Sequence, residues 1–288
     1  MTNAAEHNFV KMPEHQFVKM HGLGNDFVVL DVRASGLAVT EGQVRAIADR
    51  RRGIGCDQLI VVEKPRNQLS DAWMTIYNPD GTQSGACGNA TRCVAWLLMN
   101  EAASDKVVIE TRAGLLDGER RGDHLVAVDM GPARLDWRDI PMAEAVDTLH
   151  LGIEAGPLHD PVGVNMGNPH AVFFVDDVST IDLAALGPGL ENHALFPERA
   201  NIEIAQVVGP QTIRMRVWER SAGITQACGS GACATLVAAA RRGLTGRKAD
   251  VVLDGGTLTI EWLPDDHVLM TGPVALVASG RIHASLLA

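Results

Sequence analysis

Apolar positions along this chain fall mostly into short β-branched or alternating runs rather than at helical spacing. FVKM (17–20), DFVVLDV (26–32), QLIVVE (58–63) and WMTIYN (73–78) are bounded by Gly, Pro or Asn, and VVIET (107–111) and HLVAVDM (124–130) continue the series. A second series follows: AVFFV (171–175), IEIAQVV (202–208), TIRMRVWE (212–219), DVVL (250–253), GTLTIEW (256–262) and HVLM (267–270). Runs of this kind predict strands. The best helices are residues 90–103 (ATRCVAWLLMNEAA) and 232–242 (ACATLVAAARR), apolar nearly all round and therefore expected to be buried. VTEGQVRAIADRR (39–51) predicts a helix outside the strands. PMAEAVDTL (141–149) predicts one or two helical turns.

The two series are copies of one unit. Ala86-Cys87-Gly88-Asn89 matches Ala227-Cys228-Gly229-Ser230, Tyr77-Asn78 matches Trp218-Glu219, and Met130-Gly131-Pro132 matches Thr271-Gly272-Pro273, all at an offset of 141. Gly24-Asn25 before FVVL matches Gly167-Asn168 before AVFFV at 143. Constant order and spacing predict an internal duplication, with halves at 17–132 and 162–273 and a connecting segment at 133–161. Residues 274–283 predict a last strand. Near the start, HNFVKM (7–12) is echoed by HQFVKM (15–20), too short a repeat to build an architecture. Residues 1–16 are read as an N-terminal extension. The expected fold is a buried helix wrapped by a strongly curved, mostly antiparallel sheet, made twice.

Composition narrows the function. The chain has 288 residues, 46% of them hydrophobic, and 35 Asp+Glu against 25 Lys+Arg. That acidic balance argues against nucleic-acid and membrane-surface partners, which select basic patches. No apolar run approaches the roughly 20 residues of a membrane span. Neither a basic start nor an apolar stretch marks MTNAAEHNFVKM as a signal peptide. With five cysteines, an odd number, the expectation is a reducing cytoplasm and free thiols. Cys87 and Cys93 would point about 120° apart on a helix, and Cys228 and Cys233 about 140°. Neither spacing suits a zinc site. No nucleotide, pyridoxal phosphate or metal motif is present, so neither cofactor nor metal is expected.

Cys87 and Cys228 each stand just before a predicted helix. Unpaired N–H groups and the positive end of the helix dipole should lower the pKa of a thiol there and bind a carboxylate. Cys93 and Cys233 read as core residues, and Cys56 stays open. Two thiols facing one cleft suit inversion of a stereocentre that bears hydrogen. One, as thiolate, removes a proton from one face while the other, as thiol, delivers a proton to the opposite face.

At these residues the sequence resembles the diaminopimelate epimerase family of cofactor-independent, two-cysteine amino-acid epimerases. The likeness rests on KMHGLGNDFVVLD (19–31), GCDQLIVVE (55–63), YNPDGTQSGACGNATRC (77–93), GNPHAVFFV (167–175), RANIEIAQ (199–206) and ERSAGITQACGSGACA (219–234). It implies interconversion of LL- and meso-diaminopimelate, in lysine and peptidoglycan-precursor synthesis, with Cys87 and Cys228 as the acid/base pair. Gly88-Asn89 and Gly229-Ser230 would grip the carboxylate at the reacting centre. Asn25, Gln58, Asn78, Asn168, Asn201, Glu219 and Arg220 would hold the rest of the substrate, and His170 and Glu219 would tune the thiols. The fold class the likeness implies is α+β, two similar halves, each a curved, mostly antiparallel, barrel-like sheet around a central helix, with the active site in the cleft between them and the C-terminal strand, 274–288, completing the first half. Departures from the family pattern stand at Gly85, Ala86, Ala90, Ser221, Ile224 and Ser230.

The expected partner is thus a small-molecule substrate; a homodimer is compatible with the sequence. A proline or hydroxyproline racemase is the nearest alternative, but that type carries His where Asn89 stands. A non-catalytic thiol-redox or amino-acid-binding protein on the same duplication is a second.

Overall fold

A computed structural model describes residues 15–287; the first copy of the short repeat, 7–12, and most of the segment read as an N-terminal extension lie outside the described residues. The first half contributes β1 (His15–Gly22), β2 (Asn25–Asp31), β3 (Gln58–Glu63), β4 (Ala72–Tyr77), the two-residue β5 (Gln83–Ser84), β6 (Lys106–Thr111), β7 (Gly114–Gly122) and β8 (Leu125–Pro132). After a small hairpin, β9 (Glu154–Ala155) and β10 (Leu158–His159), the second half gives β11 (Val162–Asn165), β12 (Pro169–Phe174), β13 (Asn201–Gly209), β14 (Thr212–Glu219), β15 (Gly223–Ile224), β16 (Lys248–Leu253), β17 (Gly256–Trp262) and β18 (His267–Pro273).

Both halves pair their strands in one pattern. β1–β2, β3–β4, β6–β7 and β7–β8 are antiparallel while β2–β3 and β4–β6 are parallel. The second half repeats this with β11–β12, β13–β14, β16–β17 and β17–β18 antiparallel and β12–β13 and β14–β16 parallel. Antiparallel pairing of β8 with β18, from Leu125↔Pro273 to Pro132↔His267, fuses the two sheets. The last strand, β19 (Ala275–Ile282), runs back to the first half and pairs with β1.

Each sheet curls round a helix, α2 (Gly88–Ala102) in the first half and α4 (Gly229–Arg241) in the second, which touch strands on nearly every side. That is why both are apolar all round: Ala90, Cys93, Val94, Ala95, Leu98 and Met99 are buried on α2, as is the unbroken run from Gly231 to Ala239 on α4. The central strands are buried on both faces. Phe27, Val29, Ile60 and Val62 point inward toward α2, while Val28, Leu30, Leu59 and Val61 pack outward with Val44 and Ile47 of α1 (Glu41–Ala48). Two-sided burial explains continuous rather than alternating apolar runs. Outside the second sheet, Phe173, Ile202 and Ile204 pack with Leu183 and Leu190 of α3 (Leu183–Glu191) and with Ile140 and Leu151 of the connecting segment.

One expectation is corrected. Residues 141–149 form turns, not helix. The segment is held at both ends by distant backbone: the Ala143 N–H bonds the Leu195 carbonyl and the Thr148 carbonyl accepts from the Gly163 N–H, so tertiary contacts rather than helix bonds set its path. α1 starts as its sequence suggests, on a reciprocal cap between Thr40 and Gln43.

Core and surface contributions should separate in urea. Leu236→Ala, at a fully buried position on α4, should lose about 2–5 kcal/mol. Thr40→Ala should lose only about 1 kcal/mol, and equal losses in equilibrium unfolding would contradict this division.

Candidate active site

The duplication brings the predicted residues to one place because strand ends and helix starts coincide. Asn25 and Gln58 open the parallel strands β2 and β3, Asn78 follows β4, and Cys87 caps α2. In the second half Asn168 precedes β12, Asn201 opens β13, Glu219 ends β14 and Cys228 caps α4. Gly24 and Gly167, before the two asparagines, have φ of +85° and +96°. Glycine meets that left-handed turn without a Cβ penalty.

The helices meet start to start. A Cβ built on Gly88 would lie 2.5 Å from Met270 Cε and 2.8 Å from Met130 Sδ, and one on Gly229 would lie 2.9 Å from Met270 Sδ. Both glycines thus lie flat against the methionine side chains of β8 and β18, whose flexible ends a Cβ would displace. Asn89 crosses the seam: its Nδ2 donates to Asn25 Oδ1 at 3.2 Å and to the Ala227 carbonyl of the other half at 3.4 Å. Around Cys87, the thiol lies 3.7 Å from Asn25 Oδ1, and Asn25 is steadied by an Nδ2 bond to Asp57 at 3.1 Å. Gln58 Nε2 donates to Asn78 Oδ1 at 3.1 Å, which leaves the buried Gln58 Oε1 without a partner.

Around Cys228 the surroundings are acidic. Glu219 accepts hydrogen bonds from the Thr225 hydroxyl and the Cys228 thiol, and Ser230 Oγ lies 3.6 Å from the sulfur. His170, fully buried, has Nδ1 2.7 Å from Glu203 Oε1 and Nε2 2.9 Å from Asn168 Oδ1. Asn201 Oδ1 accepts from the Arg220 backbone N–H at 2.9 Å, while the Arg220 guanidinium bonds the Glu198 carbonyl.

The expected lowering of the thiols is overturned. Burial, helped by the Glu219 carboxylate, pushes Cys87 up to about 11 against the N–H groups of Ala90 and Asn89 and the charge of Arg92, which pull it down. Burial also pushes Cys228 well above the ordinary thiol range, reinforced by the carboxylates of Glu219 and Glu203. The helix ends act in the expected direction, but taking the charge out of water outweighs them. Burial raises Glu219 as well, opposed by its bonds from Thr225 and Cys228. Cys93 and Cys233 are buried core thiols pushed up to about 12. Cys56, left open by the sequence, is buried beside α1 and pushed up to about 11.

Two residues here escaped sequence reading. Arg92 is fully buried on α2, with Nη2 donating to Asn89 Oδ1 at 2.9 Å, Nη1 3.3 Å from Met270 Sδ, and Nε unpartnered. Among the described residues it has no carboxylate partner. Its place in the repeat is taken by Cys233 in the second half. Glu203, also fully buried, sits in the run IEIAQVV and reads as an ordinary strand position. A charged residue inside an apolar run was the available signal for both. Among the described residues no group of three His, Cys, Asp or Glu is placed to hold a metal ion, and no helix is long and apolar enough to cross a membrane.

Comparison with known proteins gives the family. The sequence profile of the family described as diaminopimelate epimerase matches residues 17–135 and 162–277, both halves of the duplication. The chain belongs to the diaminopimelate epimerase family. It is 62% identical over 272 residues to a protein named diaminopimelate epimerase from Rhodospirillum centenum, covering 94% of each chain. Identity to one of the same name from Acidiphilium cryptum is 56%, covering 94% of this chain and 98% of the other. The fold is wider than the family. A hydroxyproline epimerase from Agrobacterium vitis superposes with a TM-score of 0.67 at 15% identity, over 94% of this chain and 93% of that one. A PhzF-family phenazine biosynthesis protein from Enterococcus faecalis gives 0.66 at 16%, over 94% and 100%.

Since only thiolate reacts, alkylation of Cys87 by iodoacetamide in the free protein should rise about tenfold per pH unit from pH 7 toward pH 10. Cys228 should react more slowly, and Cys56, Cys93 and Cys233 only on unfolding. Peptide mass spectrometry would show this, and a rate already level at pH 7 would mean the helix ends outweigh burial.

Proposed function

We propose that this protein is a cofactor-independent epimerase that interconverts LL- and meso-diaminopimelate by proton transfer between two thiols. The observation that carries the reading is that Cys87 and Cys228 cap two helices whose starts meet across one seam, joined by Asn89. In one direction the thiolate of one cysteine takes the α-hydrogen as a proton, and the thiol of the other gives its proton to the opposite face of the carbon. The electron pair left by the first transfer forms the new C–H bond. Afterwards the cysteines have exchanged protonation states, and the reverse reaction uses them in the opposite roles.

The electrostatics suit that step. An α-hydrogen is a weak acid, and a thiolate whose conjugate acid lies near 11 is a stronger base than an exposed one. A single thiolate among two helix starts and the buried Arg92 meets compensating positive charge. The backbone N–H groups at Gly88-Asn89 and Gly229-Ser230 are the donors assigned to the α-carboxylate, where negative charge grows in the transition state. Gln58 Oε1, buried and unpartnered, offers an acceptor for an ammonium group. Arg220 is assigned to the distal carboxylate, whose two oxygens match its planar fork. Asn25, Asn78, Asn168 and Asn201 complete the binding surface, Glu219 acts on Cys228 through its charge, and His170 acts on Cys228 only indirectly, through Glu219 and its bonded partner Glu203. A cytoplasmic location fits an enzyme that depends on reduced thiols.

Reduced protein incubated with LL-diaminopimelate in deuterated water should exchange its α-hydrogen and yield the meso isomer by NMR. Absence of exchange would sink the reading, and exchange into proline instead would make the protein an imino-acid racemase. Cys87→Ala and Cys228→Ala should each lower turnover by about a thousandfold or more, with Cys93→Ala active. An active Cys228→Ala protein would rule out the two-thiol mechanism.

A further inference from the structure

The two halves hold their equivalent asparagines in opposite senses. In the first, Asn25 gives its N–H2 group to Asp57 and turns its oxygen toward Cys87 and Asn89. In the second, Asn168 turns its oxygen away, 2.9 Å from His170 Nε2. Its N–H2 group has no hydrogen-bond partner among the described residues.

Behind His170 stands Glu203. Its Oε1 lies 2.7 Å from His170 Nδ1, its Oε2 is buried without a partner, and both side chains have no exposed surface. A Cβ built on Gly231 would lie 2.7 Å from Glu203 Oε1 and 3.3 Å from Cys228 Sγ, so the carboxyl and the thiol border the same small volume. Both ring nitrogens of His170 therefore face oxygen. An oxygen of an amide cannot donate, so Nε2 must carry a proton to bond Asn168 Oδ1. Nδ1 then either accepts from a protonated Glu203 or donates to its carboxylate. In both cases the pair shares one proton and presents Nε2–H to Asn168. Parallel pairing places Phe27 of β2 opposite Gln58 and His170 of β12 opposite Asn201. By that correspondence the first half has Phe27 and Ile60 where the second has His170 and Glu203. The chain of bonds belongs to the second half alone.

We propose that Glu203 is a positioning residue that, through His170, holds the Asn168 amide with its N–H2 group toward the cleft as a donor. Asn25 supplies an acceptor on one side of the bound amino acid and Asn168 a donor on the other. A near-symmetric site thereby distinguishes the groups of an unsymmetrical ligand. The proposal rests on the reading of Asn168 as a substrate-binding residue.

Ring nitrogen shifts of ¹⁵N-histidine in the unmodified, ligand-free protein test the first link. They should show His170 Nε2 protonated throughout pH 6–9, and a bare Nε2 with protonated Nδ1 would overturn the proposal. Kinetics with LL-diaminopimelate test the second. Glu203→Leu should raise KM about tenfold or more, the worth of one hydrogen bond to a charged group, with a smaller change in kcat. In Glu203→Gln, which can still bond Nδ1, KM should stay within about threefold of the unmodified protein, whatever the lost charge beside Cys228 does to kcat. An unchanged KM in Glu203→Leu, or a KM rise in Glu203→Gln as large as in Glu203→Leu, would overturn it. Should Glu203→Leu fail to fold, the ring measurement and Glu203→Gln still decide. If the unmodified protein does not turn over LL-diaminopimelate, the proposed activity fails while the ring measurement still stands or falls by itself.

Discussion

Two helix starts brought tip to tip are the constraint around which this molecule is built. Each carries unpaired N–H groups and the positive end of a dipole, and Arg92 adds a full charge beside them, buried and without a carboxylate partner among the described residues. Like charges concentrated away from water are costly unless something negative joins them. The fold accepts this arrangement because β8 and β18 tie the halves into one sheet and the cores around α2 and α4 hold each helix along its length. The seam left between them holds these donors and Arg92 beside Cys87, and the carboxylates of Glu219 and Glu203 beside Cys228.

Asymmetry within the duplication gives the seam its chemistry. The first half places a cation near its thiol, and the second places Glu219, Glu203 and His170 near its own. Both thiols are raised by burial and by Glu219; Glu203 raises the second further, while Arg92 pulls the first down. Phe27 and Ile60 in one copy, and His170 and Glu203 in the other, occupy matching buried positions on parallel strands.

Much of the site was legible as sequence because its residues sit at punctuation points. Asn25, Asn78, Asn168, Cys87 and Cys228 stand where apolar runs begin or end, and the constant offset of the two copies pairs them without any structure. Arg92 and Glu203 were not legible in the same way. Each lies inside an apolar element whose pattern describes packing, and only a tertiary neighbour shows what the charge is for. The segment 141–149 misled for a related reason: its local pattern suits a helical turn, but bonds to Leu195 and Gly163 set its backbone path instead.

The sequence by itself determined the elements, their duplication and the residues at the ends of each, since periodicity and turn chemistry act over a few neighbouring positions. It determined that two cysteines would cap two helices. Tertiary structure decided how those helices meet, which half supplies each charge, and the direction in which the thiols are shifted. The helix ends pull the thiols down, as local reasoning expects, but the other half and the surrounding sheet remove the water. Desolvation depends on everything packed around a group, and so it is settled only when the chain has folded.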